Sequence, residues 1–179
     1  HNASDDVFTL HKNGLISPGN DDTVRISQGP VSIKADPRSK GKKRTVSVFG
    51  IRFIWIPGGC YEMGCIRETD ETDEKCLSYE TPLHVVCVDG FWMGKSEVTE
   101  KQWYAVMGGS GSDISEKSPV KNVRWNKARE FMEKLNRSEK ISGKFRLPTE
   151  AEWEYACQSK ERSELEGMTD SVWEWCRDI

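Results

Sequence analysis

Apolar residues in this chain follow two spacings. Early in the chain the period is close to two. Val24 and Ile26 alternate with polar neighbours, as do Val31 and Ile33, then Val46 and Val48. Turn formers separate these pairs: Pro18-Gly-Asn20, Gln28-Gly-Pro30 and Asp36-Pro37. The pattern predicts short strands at the edge of something larger. Residues 1–48 are otherwise polar and lack helical periodicity, so they read as an extension or accessory piece before a main domain over 49–179. Within that domain, Arg52-Phe-Ile-Trp-Ile56 is strand-like and Pro57-Gly-Gly59 ends it. Cys60-Tyr-Glu-Met-Gly64 reads as its hairpin partner across a tight turn. Leu83 to Met93 is β-branched and aromatic, which predicts one or two buried strands.

Further on the period lengthens to that of a helix. Thr99 and Gln102 form a capping box, with Val98 and Trp103 at the two hydrophobic-staple positions and Gly108 just past the end. A second helix takes Asn126 as N-cap and places Ala128, Phe131, Met132 and Leu135 on one face. Gly143 closes that region. A third helix starts at Thr149, whose hydroxyl caps the first turn and whose capping-box partner is Glu152. Pro148 blocks backward extension, Glu150 and Glu152 suit the positive end of the helix dipole, and Trp153 and Ala156 supply the apolar stripe. Val172, Glu174 and Cys176 then alternate against Trp173 and Trp175, which suits a strand. Strands and helices are segregated along the chain, so the predicted fold class is α+β.

Composition narrows the picture. The chain has 179 residues and a formal net charge of -3, against a general nucleic-acid binder. No apolar run approaches a membrane span. With no signal peptide in it, the sequence reads as cytosolic or as a mature form. Six cysteines favour the second. Four of them, Cys60, Cys65, Cys76 and Cys87, crowd into 28 positions, which points to disulfides and an extracytoplasmic setting. At least one bridge is expected among these four, with connectivity open. Zinc is disfavoured, because there is no Cys-x-x-Cys and the three histidines His1, His11 and His84 are scattered. The acidic stretch 67–75 lacks the EF-hand glycine and reads as a solvated loop that Cys65 and Cys76 are placed to staple. The run 38–44, five basic residues in seven, reads as another solvated loop.

Six ordered blocks carry a family resemblance. They are Phe53-x-Trp-Ile-Pro-Gly-Gly-x-Tyr-x-Met-Gly64; Glu80-Thr-Pro-x-His84 with Val88-Asp-Gly-Phe91; Glu97-Val-Thr-x-x-Gln-Trp103; Pro119-Val-x-x-Val-x-Trp125 with Ala128; Arg146-Leu-Pro-Thr-Glu-Ala-Glu-Trp-Glu-Tyr-Ala156; and Val172-Trp-Glu-Trp175. Together, over roughly residues 51–178, they resemble the formylglycine-generating enzymes, or sulfatase-modifying factors. The resemblance implies a C-type-lectin-like α+β fold with little regular secondary structure. It does not imply one activity. The family includes copper-dependent oxidases that convert a sulfatase cysteine to formylglycine, iron-dependent sulfoxide synthases, and ligand-binding proteins such as the variable proteins of retroelements.

Two departures bear on function. In the oxidases, two active-site cysteines lie downstream of the Trp-Glu-Trp block, near an Arg-Gly-Gly-Ser. That motif is absent from this sequence, and neither Cys157 nor Cys176 matches the catalytic position. Both read as buried or bridged thiols. The iron branch takes its histidines from a separate helical domain, which this sequence does not supply. The family also places a Gly-Asn before the Trp-Glu-Trp block, where its glutamate helps hold a structural calcium. Here Asp170-Ser171 stands instead, so the candidate calcium ligands are Glu174 and Asp170. The expected function is a non-catalytic module that binds a protein or glycan ligand, with Trp173 and Trp175 as a candidate ligand surface. The alternative is a copper-dependent oxidase whose catalytic segment is not in this sequence.

Overall fold

The computed structural model describes residues 25–28, 45–65, 80–109, 114–138, 145–168 and 172–178. Seven strands run in chain order: β1 (Ser27–Gln28), β2 (Thr45–Val48), β3 (Ile51–Ile56), β4 (Gly59–Met63), β5 (His84–Val88), β6 (Phe91–Gly94) and β7 (Phe145–Arg146). The helices are α1 (Glu100–Met107), α2 (Trp125–Ser138) and α3 (Glu150–Gln158), followed by a 3₁₀ turn over Lys160–Glu164. The fold is α+β, as the segregation of strands and helices predicts.

Five strands form one antiparallel sheet in the order β2-β3-β6-β1-β7. Both of its faces are covered. On β3, Ile51 and Phe53 enter one apolar core with the residues of α1 and α2, while Ile54 and Ile56 enter a second with Trp153 and Ala156 of α3. β6 divides likewise, Trp92 to the first core and Phe91 and Met93 to the second. Side chains on a strand alternate between faces. A strand with apolar partners on both sides therefore reads as the unbroken apolar run seen in Phe53-Ile-Trp-Ile56.

Strands from both sides of residue 48 share the main sheet. β2 pairs with β3, and β1 lies between β6 and β7, inside the sheet. Ile26 is fully buried in the first core. Short polar segments read as an appendage because local pattern carries no information about which strands they will separate. Val24, Val31 and Ile33 lie outside the described residues, as do the basic run 38–44, the acidic stretch 67–75 and Gly143.

The hairpin expected at Pro57-Gly-Gly59 is also absent. β4 leaves the main sheet and pairs with β5 in a separate two-stranded ribbon. Gly58 lets the two sheets part there. A β-carbon on it would lie 2.7 Å from the Gly90 nitrogen and 2.8 Å from the Val88 carbonyl, so only glycine fits where the two chain reversals meet. Of the two strands found between Leu83 and Met93, only β6 is buried; β5 is largely exposed, with Val85 69% accessible.

Both capping boxes form as read, Thr99 with Gln102 and Thr149 with Glu152. The staple residues Val98 and Trp103 are buried, and Trp103 stacks on Phe131 of α2 at 4.9 Å. Gly108 takes the positive φ, 81°, that ends α1. Ala128, Phe131, Met132 and Leu135 are all buried, as their spacing requires. The start of α2 differs: Trp125 is already helical, and the Lys127 and Ala128 amides donate to the Arg124 carbonyl, so Asn126 lies inside the first turn. Residues 172–178 form no regular strand. Their alternation fails because the segment is wedged between elements, and Val172, Glu174, Trp175 and Cys176 are all buried.

Candidate functional site

The densest polar cluster starts from strand β1. Ile26 points into the first core, so alternation sends Arg25 and Ser27 to the opposite face, beside α3. Read from sequence, those two positions would face water. The second core covers them instead, and both are 0% exposed. A buried guanidinium must be paired and hydrogen-bonded. Arg25 meets this with a fork onto Glu174, Nε donating to Oε2 at 2.6 Å and Nη2 to Oε1 at 2.8 Å. Nη1 donates to the Gly94 carbonyl at 2.8 Å and Nη2 to that of Glu166 at 2.7 Å. Glu97, also buried, lies 3.8 Å from Nη2. The Trp153 indole Nε1 completes the cluster by donating to Glu174 Oε2 at 3.0 Å.

Electrostatics follow from burial. Desolvation alone would lower the Arg25 pKa, but the carboxylates of Glu174 and Glu97 outweigh it and push it up, so the guanidinium stays charged. Burial pushes the Glu174 carboxyl up, and Arg25 and the Trp153 indole pull it back. Among the described residues, Glu97 Oε1 is a buried oxygen with no hydrogen-bond partner. The space for Glu97 exists because residue 167 is glycine at φ 73°, and a β-carbon there would overlap the carboxylate.

Ser27, on the same strand face, links this cluster to the start of α3. Its hydroxyl accepts from Arg146 Nη1 at 3.0 Å, and Arg146 forks onto Glu152 with two 2.6 Å bonds. Glu152 also accepts from the Thr149 amide at 2.9 Å. Arg146 and Glu152 of the Arg146-to-Ala156 block are thus structural: they lock the third helix to strands β1 and β7.

The opposite flank of α3 faces the β4–β5 ribbon. The rings of Tyr61 and Tyr155 lie 5.4 Å apart, the Tyr61 hydroxyl donates to the Ala151 carbonyl at 2.9 Å, and the Gly64 amide donates to Glu154 Oε1 at 3.0 Å. Half-burial pushes up the carboxyls of Glu150 and Glu154, with help from Asp178 and Glu154 at the first and Glu80 at the second. The Tyr61 hydroxyl is pushed up by burial and then by Glu154 and Glu150. A Cys60–Cys87 disulfide clamps directly opposed residues on the ribbon's exposed side. Cys65 is disulfide-bonded too, whereas Cys76 lies outside the described residues.

The sequence-predicted site residues do not come together as a ligand surface. Trp175 is 5% exposed, sits in the first core and donates its indole N–H to the Val123 carbonyl at 2.5 Å, so it has no surface to offer. Trp173 is half-buried. Cys157 and Cys176 are thiols rather than disulfide partners; Cys176 is sealed in the second core, and burial, then Asp178, pushes its thiol well up. Asp170 lies outside the described residues. The groups around Glu174 do not fit calcium. Both of its oxygens face N–H donors, and a guanidinium already supplies the positive charge, where calcium wants six to eight oxygens. Among the described residues no group of three His, Cys, Asp or Glu is placed to hold a metal. Of the two residues that complete this cluster, Glu97 opens the third of the ordered blocks, whereas Arg25 gives one faint signal, a lone arginine beside Ile26 in an alternating segment.

A family model described as the sulfatase-modifying factor enzyme 1-like domain matches residues 42–165. Among curated proteins the chain is similar to the chaperone protein LppX of Paenibacillus barcinonensis, 33% identical over 111 residues, a match covering 44% of this chain and 40% of that protein. The chain thus spans less than half the length of this relative. No solved structure matches it.

Proposed function

We propose that this chain, which belongs to the sulfatase-modifying factor enzyme 1-like family, serves as a non-catalytic, extracytoplasmic module that binds a protein. We read its α+β fold as C-type-lectin-like. The observation that carries the reading is the contrast between its sealed chemistry and its open ribbon. Arg25, Glu174 and Cys176 are closed off from any substrate. The ribbon is exposed, covalently clamped by Cys60–Cys87 and braced by α3, and it presents Val85 to solvent. A surface held rigid before contact loses little freedom on binding, which favours recognition. The disulfides support an oxidising compartment. The printed name of the relative, a chaperone, supports a protein as the ligand.

The test uses a chemically denatured secreted protein diluted into buffer with the oxidised domain. The domain is expected to suppress aggregation at near-stoichiometric amounts, and Val85→Asp, an exposed change that leaves folding intact, to weaken the effect several-fold. Binding to a glycan array with no effect on the client would overturn the protein-binding reading. The oxidase reading has one observation in its favour: Cys157 packs against the core that holds Cys176, both are unbridged, and soft thiols suit Cu(I). Stoichiometric Cu(I) uptake that is lost in Cys157→Ser would favour it over the binding module.

A further inference from the structure

The cluster under residues 166–167 contains two buried carboxylates, Glu97 and Glu174, and two carbonyls, Gly94 and Glu166, turned on one point. Such a set of oxygens demands a cation. We infer that Arg25 is that cation, built into the chain, and that it stands in for the calcium which the family resemblance assigns to Glu174.

Three features of the molecule carry the inference. The first is saturation. Among the described residues the guanidinium makes four hydrogen bonds, two to the carboxylate and one to each carbonyl, so it occupies the centre of the oxygen set rather than its rim. A planar, permanently charged fork is suited to such a place, where a lysine ammonium would satisfy fewer acceptors. The second is charge. Glu97 and Glu174 flank a single guanidinium, and Glu97 Oε1 is a buried oxygen without a hydrogen-bond partner among the described residues. Among the described residues the pocket thus sets two buried carboxyl groups against one guanidinium, which is the character of a cation site rather than of a matched ion pair. The third is delivery. Arg25 stands two residues before β1, the strand inserted between β6 and β7, and like Glu174 it lies outside the family-matched segment 42–165. The Gly94 amide donates to the Ile26 carbonyl at 2.8 Å, which fixes the strand and hence the arginine. This inference does not depend on whether the domain is catalytic.

The experiment compares thermal unfolding in EGTA and in millimolar calcium, for the full wild-type chain and for Arg25→Met. The wild type is expected to melt at the same temperature in both. Arg25→Met removes the charge while keeping much of the side-chain volume. It is expected to melt roughly 10 °C lower in EGTA, the scale of a broken buried pair in a chain of this size. Calcium is then expected to restore part of that loss. If the wild type loses stability in EGTA and Glu174→Gln abolishes the calcium response, a metal holds the site and the inference fails. It fails also if Arg25→Met melts like the wild type, or folds but gains nothing from calcium. Should Arg25→Met not fold, the wild-type comparison and calorimetric titration with calcium still decide. Heat of binding that survives Glu174→Gln belongs to another site and leaves Arg25 as the cation here.

Discussion

At the scale of single residues, the polar side chains of the third helix show why one motif carries several duties. Thr149 does what an N-cap does: its hydroxyl accepts from the Glu152 amide at 3.1 Å. Glu152 returns the bond to the Thr149 amide and also holds both arms of Arg146. The two substitutions should therefore separate. Thr149→Ala loses a cap and is expected to destabilise by about 1 kcal/mol. Glu152→Ala loses the reciprocal cap and leaves a partly buried guanidinium without its charged partner, so a loss of at least about 2 kcal/mol is expected. Urea denaturation of the three proteins measures both; equal losses would mean that the Arg146 fork contributes nothing. The capping role is visible in four consecutive letters. The fork onto Arg146 is not, because the two residues are six apart and meet only when β7 is seated in the sheet.

At the scale of elements, the ribbon β4–β5 behaves as a unit apart from the main sheet. Its strands hydrogen-bond to each other, and the ribbon rests against α3. The Cys60–Cys87 bridge closes 27 residues of sequence separation, and the chain-entropy model gives such a bridge about 3.5 kcal/mol. Replacing both cysteines by serine should thus lower stability, and it should do so unevenly. Amide hydrogen exchange is expected to quicken in β4 and β5 while β3 and β6, buried between two cores, keep their protection. Uniform acceleration across all four strands would show that ribbon and sheet unfold as one. Clustering of cysteines announced a bridge here, and Cys60 with Cys87 proved to be paired. In sequence the ribbon is not visible as a unit: β4 reads as a hairpin partner of β3, and β5 as part of a buried strand region. Both readings are sound locally, since a glycine pair after a strand suits a reversal. What moved β4 away is that β3 had two other partners, β2 and β6, to satisfy its edges.

For the whole molecule, the N-terminal strands decide whether the domain closes. β1 has two residues, yet it separates β6 from β7 and brings Ile26 to one core and Arg25 to the other face. A chain starting at residue 42, where the family match begins, would leave two strand edges unpaired and two carboxylates buried without a cation. It is expected to lack a cooperative thermal transition by near-ultraviolet circular dichroism. A sharp transition close to that of the full chain would demote residues 25–28 to an ornament of the fold.

What the amino-acid order determined alone is everything that neighbours in sequence can settle. The α+β class, the two capping boxes and the buried face of α2 depend on periods of two or 3.6, or on pairs three or four positions apart, and the presence of a disulfide on the clustering of cysteines. The tertiary structure decided the rest. It buried Arg25 because both faces of the sheet are covered. It drew Trp175 into the core because its indole found the Val123 carbonyl, 52 positions away. It joined Glu174 to an arginine 149 residues earlier. The reason is physical: alternation tells which side chains share a face, but whether that face meets water, a helix or a buried charge is set by elements that arrive from elsewhere in the chain.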